Sequence, residues 1–167
     1  MNRLYYGPNL DILRRYINDE LVDLTYLDPP FNSNRNYSVL FAEKDGSRAA
    51  AQIKAFENTW HWDQASAHTF HNVVERGGKI SQALQALRLF LGKSHMLAYL
   101  TMMAIRLVEL HRVLKSTGSL YLHCDATASH YLKVILDTIF DPRNFCNEIV
   151  WPRHNARSTT GRWPRAI

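Results

Sequence analysis

An apolar, strand-prone run (Leu21, Val22, Leu24, Tyr26, Leu27) stops at Asp28-Pro29-Pro30-Phe31, and this junction constrains the fold more than any other stretch. Proline fixes its own φ and drives the preceding residue towards extended conformations. Asp28 and Pro29 each precede a proline, so the chain leaves the strand stiff and extended. Neither proline has an N–H, so the local backbone offers mainly acceptors. A rigid cluster of acceptors beside an aromatic suits a planar ligand that carries an amino group, such as adenine. The competing reading is a plain strand-to-loop turn, because Asp-Pro is a common turn opener.

The chemistry of the first reading is specific. An exocyclic amine on a base is a poor nucleophile, since its lone pair is delocalised into the ring. The Asp28 carboxylate and the Pro29 carbonyl can accept both of its N–H bonds, localising that pair and aiming it at an electrophile. Phe31 can stack on the base. Enzymes that modify a base inside a duplex swing it out and grip it by its Watson–Crick edge and by stacking. Acceptors held ready in this way are electrostatic catalysis.

The rest of the chain alternates between helix and strand. Residues 4–6 read as a short strand, and Asn9 as the cap of a helix with Leu10, Leu13 and Ile17 on one face. The central strand spans residues 21–27. A polar loop follows over 32–46, then a helical stretch over 48–57. Trp60-His61-Trp62-Asp63 forms an aromatic knot. Ser66 and Ser81 each start a helix, with Gly77-Gly78 between them. The best helix covers 94–114, capped by Ser94, with Leu97, Leu100, Ala104, Leu107 and Val108 at helical spacing. Gly118 punctuates before a strand over 119–124. A helix over 127–140 turns Tyr131, Val134, Ile135 and Ile139 inward and stops at Asp141-Pro142, and a last strand covers 147–151. This order predicts an α/β fold: an open, mostly parallel sheet with helices on both faces. Ligands in such folds bind beyond the carboxyl ends of the strands. Asp28 and Asp125 both follow such an end, which places them on one rim.

At that rim His123 and Asp125 are candidate contacts to a cofactor or base; alternatively Asp125 caps the next helix and His123 packs at the strand end. His68 and His71, with His61 nearby, have too few ligands at too loose a spacing for a zinc site and read as a solvated helix face. Trp60 and Trp62 read as core or lid packing, and Met96, Met102 and Met103 as core filler.

At 167 residues the chain is one domain's worth, long enough to bury a core. The two cysteines, Cys124 and Cys146, lie in apolar runs and read as buried thiols of a reduced cytoplasmic protein rather than a disulfide framework. No signal peptide and no apolar run of membrane-spanning length is visible, so no membrane partner is expected. The formal net charge is +5, and residues 152–167 supply +4 of it through Arg153, Arg157, Arg162 and Arg165 with no acidic residue. Arginines beside Trp163, Ser158, Thr159 and Thr160 suit phosphate contacts and base-edge reading; a solvated terminus has the same composition.

Leu4-Tyr5-Tyr6-Gly7, the stretch 10–16, and Val22-Asp23-Leu24 running into Asp-Pro-Pro-Phe-Asn-Ser resemble the start of the β-group DNA amino-methyltransferases, the N6-adenine and N4-cytosine enzymes that include modification subunits of restriction systems. The resemblance continues through residues 114–125, through His130-Tyr131-Leu132-Lys133 and Phe140-Asp141, and into Phe145-Cys146-Asn147-Glu148-Ile149-Val150-Trp151. It covers nearly the whole chain, in the family's motif order. Pro8 departs from it, standing where relatives often carry an acidic residue.

The resemblance implies a Rossmann-like methyltransferase fold, incomplete in this chain: residues 1–151 as the catalytic part and 152–167 as the start of a target-recognition region. It implies site-specific methylation of double-stranded DNA on a swung-out base, with S-adenosylmethionine as donor. Adenine N6 is favoured, because aspartate at the first motif position is commoner among adenine enzymes. Asp28, Pro29, Pro30 and Phe31 become the catalytic corner, Asp28, His123 and Asp125 cofactor contacts, and Asn32, Arg35, Arg153, Arg157, Arg162 and Arg165 DNA contacts. In this family a glycine-rich cofactor motif follows the recognition region, and no such turn follows a strand here; Gly77-Gly78 precedes a helix. The implied chain is therefore a truncated piece, a split gene product that needs a complementary C-terminal methyltransferase fragment or second subunit, or a decayed remnant, and independent activity is not expected. The alternatives are an inactive DNA-binding remnant, an N4-cytosine enzyme, or an RNA guanine-N2 methyltransferase. The last places its cofactor motif upstream, and 27 residues before Asp28 leave little room for one.

Overall fold

The computed structural model describes residues 2–29 and 60–150. The elements run α1 (Asn9–Tyr16), β1 (Val22–Leu27), α2 (Gln64–Arg76), α3 (Gly78–Leu91), α4 (His95–Val113), β2 (Leu114–Leu122) and α5 (Ser129–Phe140), followed by a 3₁₀ turn at Pro142–Asn144. The expected stretches over 32–46 and 48–57 lie outside the described residues.

Helix α4 is the hub. Ser94 caps it, its Oγ accepting from the Leu97 N–H at 3.2 Å. Leu97, Leu100, Thr101, Ala104 and Leu107 are fully buried along it, while Val108, expected inside, is exposed. Thr101 satisfies its buried hydroxyl by donating to the Leu97 carbonyl at 2.8 Å. Phe70 and Val73 of α2, Leu84 and Leu87 of α3, and Leu132 and Ile135 of α5 complete the core around it. On α5, Val134 faces out although it was expected within. Met103 is buried and Met96 packs at the margin of the core; Met102 is half-buried.

Asp63, one turn before the expected Ser66, starts α2 by accepting from the Ser66 N–H at 2.8 Å. Asn9 does not cap α1: Pro8 holds that position, and the Asn9 side chain accepts from Arg106 Nε instead. Arg112 closes the other end of α1, donating to the carbonyls of Leu13 and Ile17 while pairing with Asp19 and Glu109. The aromatic knot is core packing: Trp60 lies 6.5 Å from Tyr99 and Trp62 5.8 Å from Phe70, ring to ring.

The two strands pair in parallel, with α2 to α4 forming the crossover that a parallel pair requires. Gly118 does not precede the second strand but lies inside it. Between Val22↔Leu114 and Leu24↔Ser119, β1 advances two residues and β2 five, so β2 bulges there. A side chain at 118 would collide with Leu114 and press on the Val22 carbonyl, which is why glycine fits. Past the bulge the register is regular to Leu27↔Leu122. Leu120 and Leu122 pack on the core. The paired tyrosines Tyr26 and Tyr121 on the opposite face are 68% and 49% exposed.

Two expected strands are absent among the described residues. Residues 4–6 are irregular, with Leu4 and Tyr6 open to solvent, and 147–150 form no ladder. An extended segment without a neighbour to accept its hydrogen bonds is not a strand, however apolar its sequence. No described helix is long and apolar enough to cross a membrane.

Candidate active site

Parallel pairing puts the carboxyl ends of β1 and β2 side by side. Leu27 pairs with Leu122, and the ladder extends one step further as the His123 N–H donates to the Leu27 carbonyl at 2.9 Å. Residues 28 and 123 are therefore neighbours on the rim. Their side chains meet: His123 Nδ1 lies 2.9 Å from Asp28 Oδ1. Both stand in solvent, with side chains 63% exposed at Asp28 and 56% at His123. Pro29 is half-buried beside them.

Asp125, on the same rim, is drawn into the entry of α5. Its Oδ1 accepts from the Thr127 and Ala128 N–H groups at 3.1 and 3.2 Å, and its carbonyl accepts from those of Ala128 and Ser129. Between them Cys124 is half-buried. Burial raises its thiol, and the carboxylates of Asp125 and Glu148 push it further. The exposed Cys146, by contrast, is not the buried thiol expected from the sequence. Beneath the rim lies Tyr99 of α4, fully buried, its hydroxyl without a hydrogen bond among the described residues. Burial, with Cys124 and Asp125 adding to it, raises that phenol well above its ordinary value.

Of the expected site residues, the structure thus brings together Asp28, Pro29, His123 and Asp125. Pro30, Phe31, Asn32, Arg35, Arg153, Arg157, Arg162 and Arg165 lie outside the described residues. The sequence reading missed two features. One is the direct contact between Asp28 and His123: a second strand expected over 119–124 put His123 inside it, and the observed pairing sets it one step past the strand end. The other is Tyr99, on the buried face of the strongest helix with nothing in its local sequence to mark it. His68 and His71 lie exposed on α2.

A concavity of about 420 Å3 lies at the other end of the sheet, lined by Arg14, Arg76, Glu109 and Arg112. Burial pushes the Glu109 carboxyl up, but hydrogen bonds from Arg112 and Arg14 outweigh it and hold the carboxyl below the usual range. That network ties α1 to α4 at the amino end of β1, where Leu21 donates to the Val113 carbonyl. It is structural.

Residues 22–163 match the DNA methylase family of N6 and N4 enzymes. The chain belongs to that family. Among curated relatives, it is 30% identical over 154 residues to the type III restriction-modification enzyme StyLTI Mod subunit of Salmonella typhimurium, covering 91% of this chain and 20% of the relative. It is 25% identical over 152 residues to the type III restriction-modification enzyme EcoP15I Mod subunit of Escherichia coli, covering 89% and 20%. The chain thus spans about a fifth of the length of these relatives. No solved structure gives a significant match.

The described residues fit part of what a methyl donor such as S-adenosylmethionine requires. Exposed carboxylate at the carboxyl rim of a parallel sheet suits a cationic sulfonium. A glycine-rich turn to cradle the nucleoside is not among them: β1 runs into Asp28-Pro29 and β2 into His123-Cys124-Asp125.

Proposed function

We propose that this chain is the base-binding part of a site-specific DNA amino-methyltransferase of a restriction-modification system, acting on adenine N6. The observation that carries the reading is the placement of Asp28, an exposed carboxylate on the carboxyl rim of a parallel sheet, in a chain of the DNA methylase family. Such an acceptor is reachable by a base swung out of its duplex. The fold that completes this rim is Rossmann-like, with residues 1–151 as the catalytic part and 152–167 opening a target-recognition region.

Asp28 accepts an N–H from the target amine and orients its lone pair; the Pro29 carbonyl accepts the second. Pro30 locks the corner and Phe31 stacks on the base. Asn32, Arg35, Arg153, Arg157, Arg162 and Arg165 contact DNA, the arginines through phosphates. Asp28 and Asp125 stand where S-adenosylmethionine would be held, and that group, when bound, supplies an electrophilic methyl. Asp28 need not act as a strong base, because the amine nitrogen would become cationic on taking the methyl, the sulfonium leaving as a neutral thioether, and a cationic nitrogen of this kind sheds its proton readily. Because the chain spans about a fifth of the length of the relatives it matches, the activity proposed is that of a longer assembly containing this chain.

The test is methyl transfer from labelled S-adenosylmethionine to DNA and to RNA, with the chain alone and with the polypeptide that supplies the glycine-rich motif. Label in DNA recovered as N6-methyladenine supports the proposal. Label in RNA guanine, or none from the completed assembly, refutes it.

A further inference from the structure

We infer that His123 is a positioning residue for Asp28 rather than a cofactor contact, fixing the carboxylate that receives the target amine. The consequence for catalysis rests on the methyl-transfer reading above; the geometry does not.

Two independent links hold the pair. The backbone link, His123 N–H to the Leu27 carbonyl at 2.9 Å, sets residues 28 and 123 one step beyond the last paired residues of the two strands. The side-chain link is the 2.9 Å contact between His123 Nδ1 and Asp28 Oδ1. An ionised carboxylate only accepts, so the proton in this contact sits on Nδ1. The ring is therefore either the Nδ1–H tautomer or the imidazolium, and Nδ1 is committed to Asp28 in both. Oδ2 makes no hydrogen bond among the described residues. The arrangement divides the carboxylate into one oxygen held by the protein and one left for the amine.

Stability does not account for this pair. Both side chains are more than half exposed, and solvent-exposed ion pairs contribute little to folding. What the contact supplies is orientation. Asp28 lies between a strand end and two prolines, which fix its backbone but not the rotation of its carboxyl group. A hydrogen bond from the neighbouring strand fixes that rotation. Orientation is where a base-modifying site is sensitive, because small misplacements of a reacting group cost rate steeply.

The experiment has a structural arm and a kinetic arm. In the 167-residue chain, long-range proton–nitrogen NMR spectra of His123, recorded where the ring is neutral, are expected to show the proton on Nδ1. In Asp28→Ala the ring is expected to revert to the Nε2–H form usual for free histidine. An Nε2–H ring in the wild type, or no change in the variant, overturns the contact. In the assembly that methylates DNA, His123→Leu is expected to lower kcat by about tenfold to a hundredfold, with DNA affinity and KM held within about threefold. His123→Asn, whose side-chain N–H stands near the position of Nδ1, is expected to recover kcat to within about threefold of wild type. Unchanged turnover in His123→Leu, or no recovery in His123→Asn, overturns the positioning role. Failure of the wild-type assembly to methylate DNA overturns the methyl-transfer reading together with the catalytic consequence drawn from it, and leaves the NMR arm to decide the contact.

Discussion

Replacing Gly118 by alanine presses on the strand that carries Asp28. A Cβ at 118 stands 2.8 Å from Leu114 Cγ, 2.9 Å from its Cδ1 and 3.0 Å from the Val22 carbonyl oxygen. The first two contacts belong to the far end of a half-buried side chain that can swing away. The third is backbone in β1, and it can be relieved only by moving the ladder. Overpacking of this kind costs about 1–3 kcal/mol. Against it, a Gly→Ala change restricts the unfolded chain and returns about 0.4–1 kcal/mol. The net expectation is a loss of about 1–2 kcal/mol, or a fall in Tm of about 2–8 °C for a chain of this length. Urea titration with a thermal melt measures it. Leu114→Ala in the Gly118→Ala background partitions the effect: recovery of more than about 0.5 kcal/mol relative to the two single changes assigns the strain to Leu114, and no recovery assigns it to the Val22 carbonyl. A Gly118→Ala chain as stable as the parent, or more so, refutes the close approach at the bulge.

Ser94→Ala removes the cap of the central helix and is expected to cost about 1 kcal/mol, read as a lower urea midpoint with an unchanged slope. An unaltered midpoint contradicts the capping geometry. Hydrogen bonding from Arg143 holds the Asp141 carboxyl at about 2, below its ordinary 3.8. A depressed folded value means that its stabilisation is full above about pH 4 and is lost as pH falls through about 2. Asp141→Asn should therefore lower stability at neutral pH and flatten the acid limb, so that variant and parent converge as pH falls through about 2; an unchanged acid limb contradicts the pairing.

Much of this arrangement is legible in the residues. The strand ending at Asp28 and the helix capped by Ser94 follow from apolar spacing and from proline and serine chemistry, because those signals are local. The failures have a common cause. Residues 4–6 and 147–151 have strand-like composition, but strandedness is settled by a neighbour, and the sequence does not name one. Gly118 looks like punctuation because glycine usually ends an element, whereas here a close approach between strands requires it. The meeting of Asp28 with His123 depends on register across a long crossover. The alternation of helix and strand predicts a shared rim, but only pairing supplies the residue-to-residue match. Asp125 was readable in both ways proposed, and its hydrogen bonds follow the helix-entry reading.

The most direct measurement is methyl incorporation by the completed assembly with Asp28 intact and with Asp28→Ala, at equal occupancy of a DNA containing the target site. Losing an electrostatic partner of the reacting group costs about a hundredfold to a thousandfold in turnover. A loss of that size with DNA affinity preserved is the result predicted here. Equal turnover by the two proteins contradicts the claim that this carboxylate prepares the base for methylation.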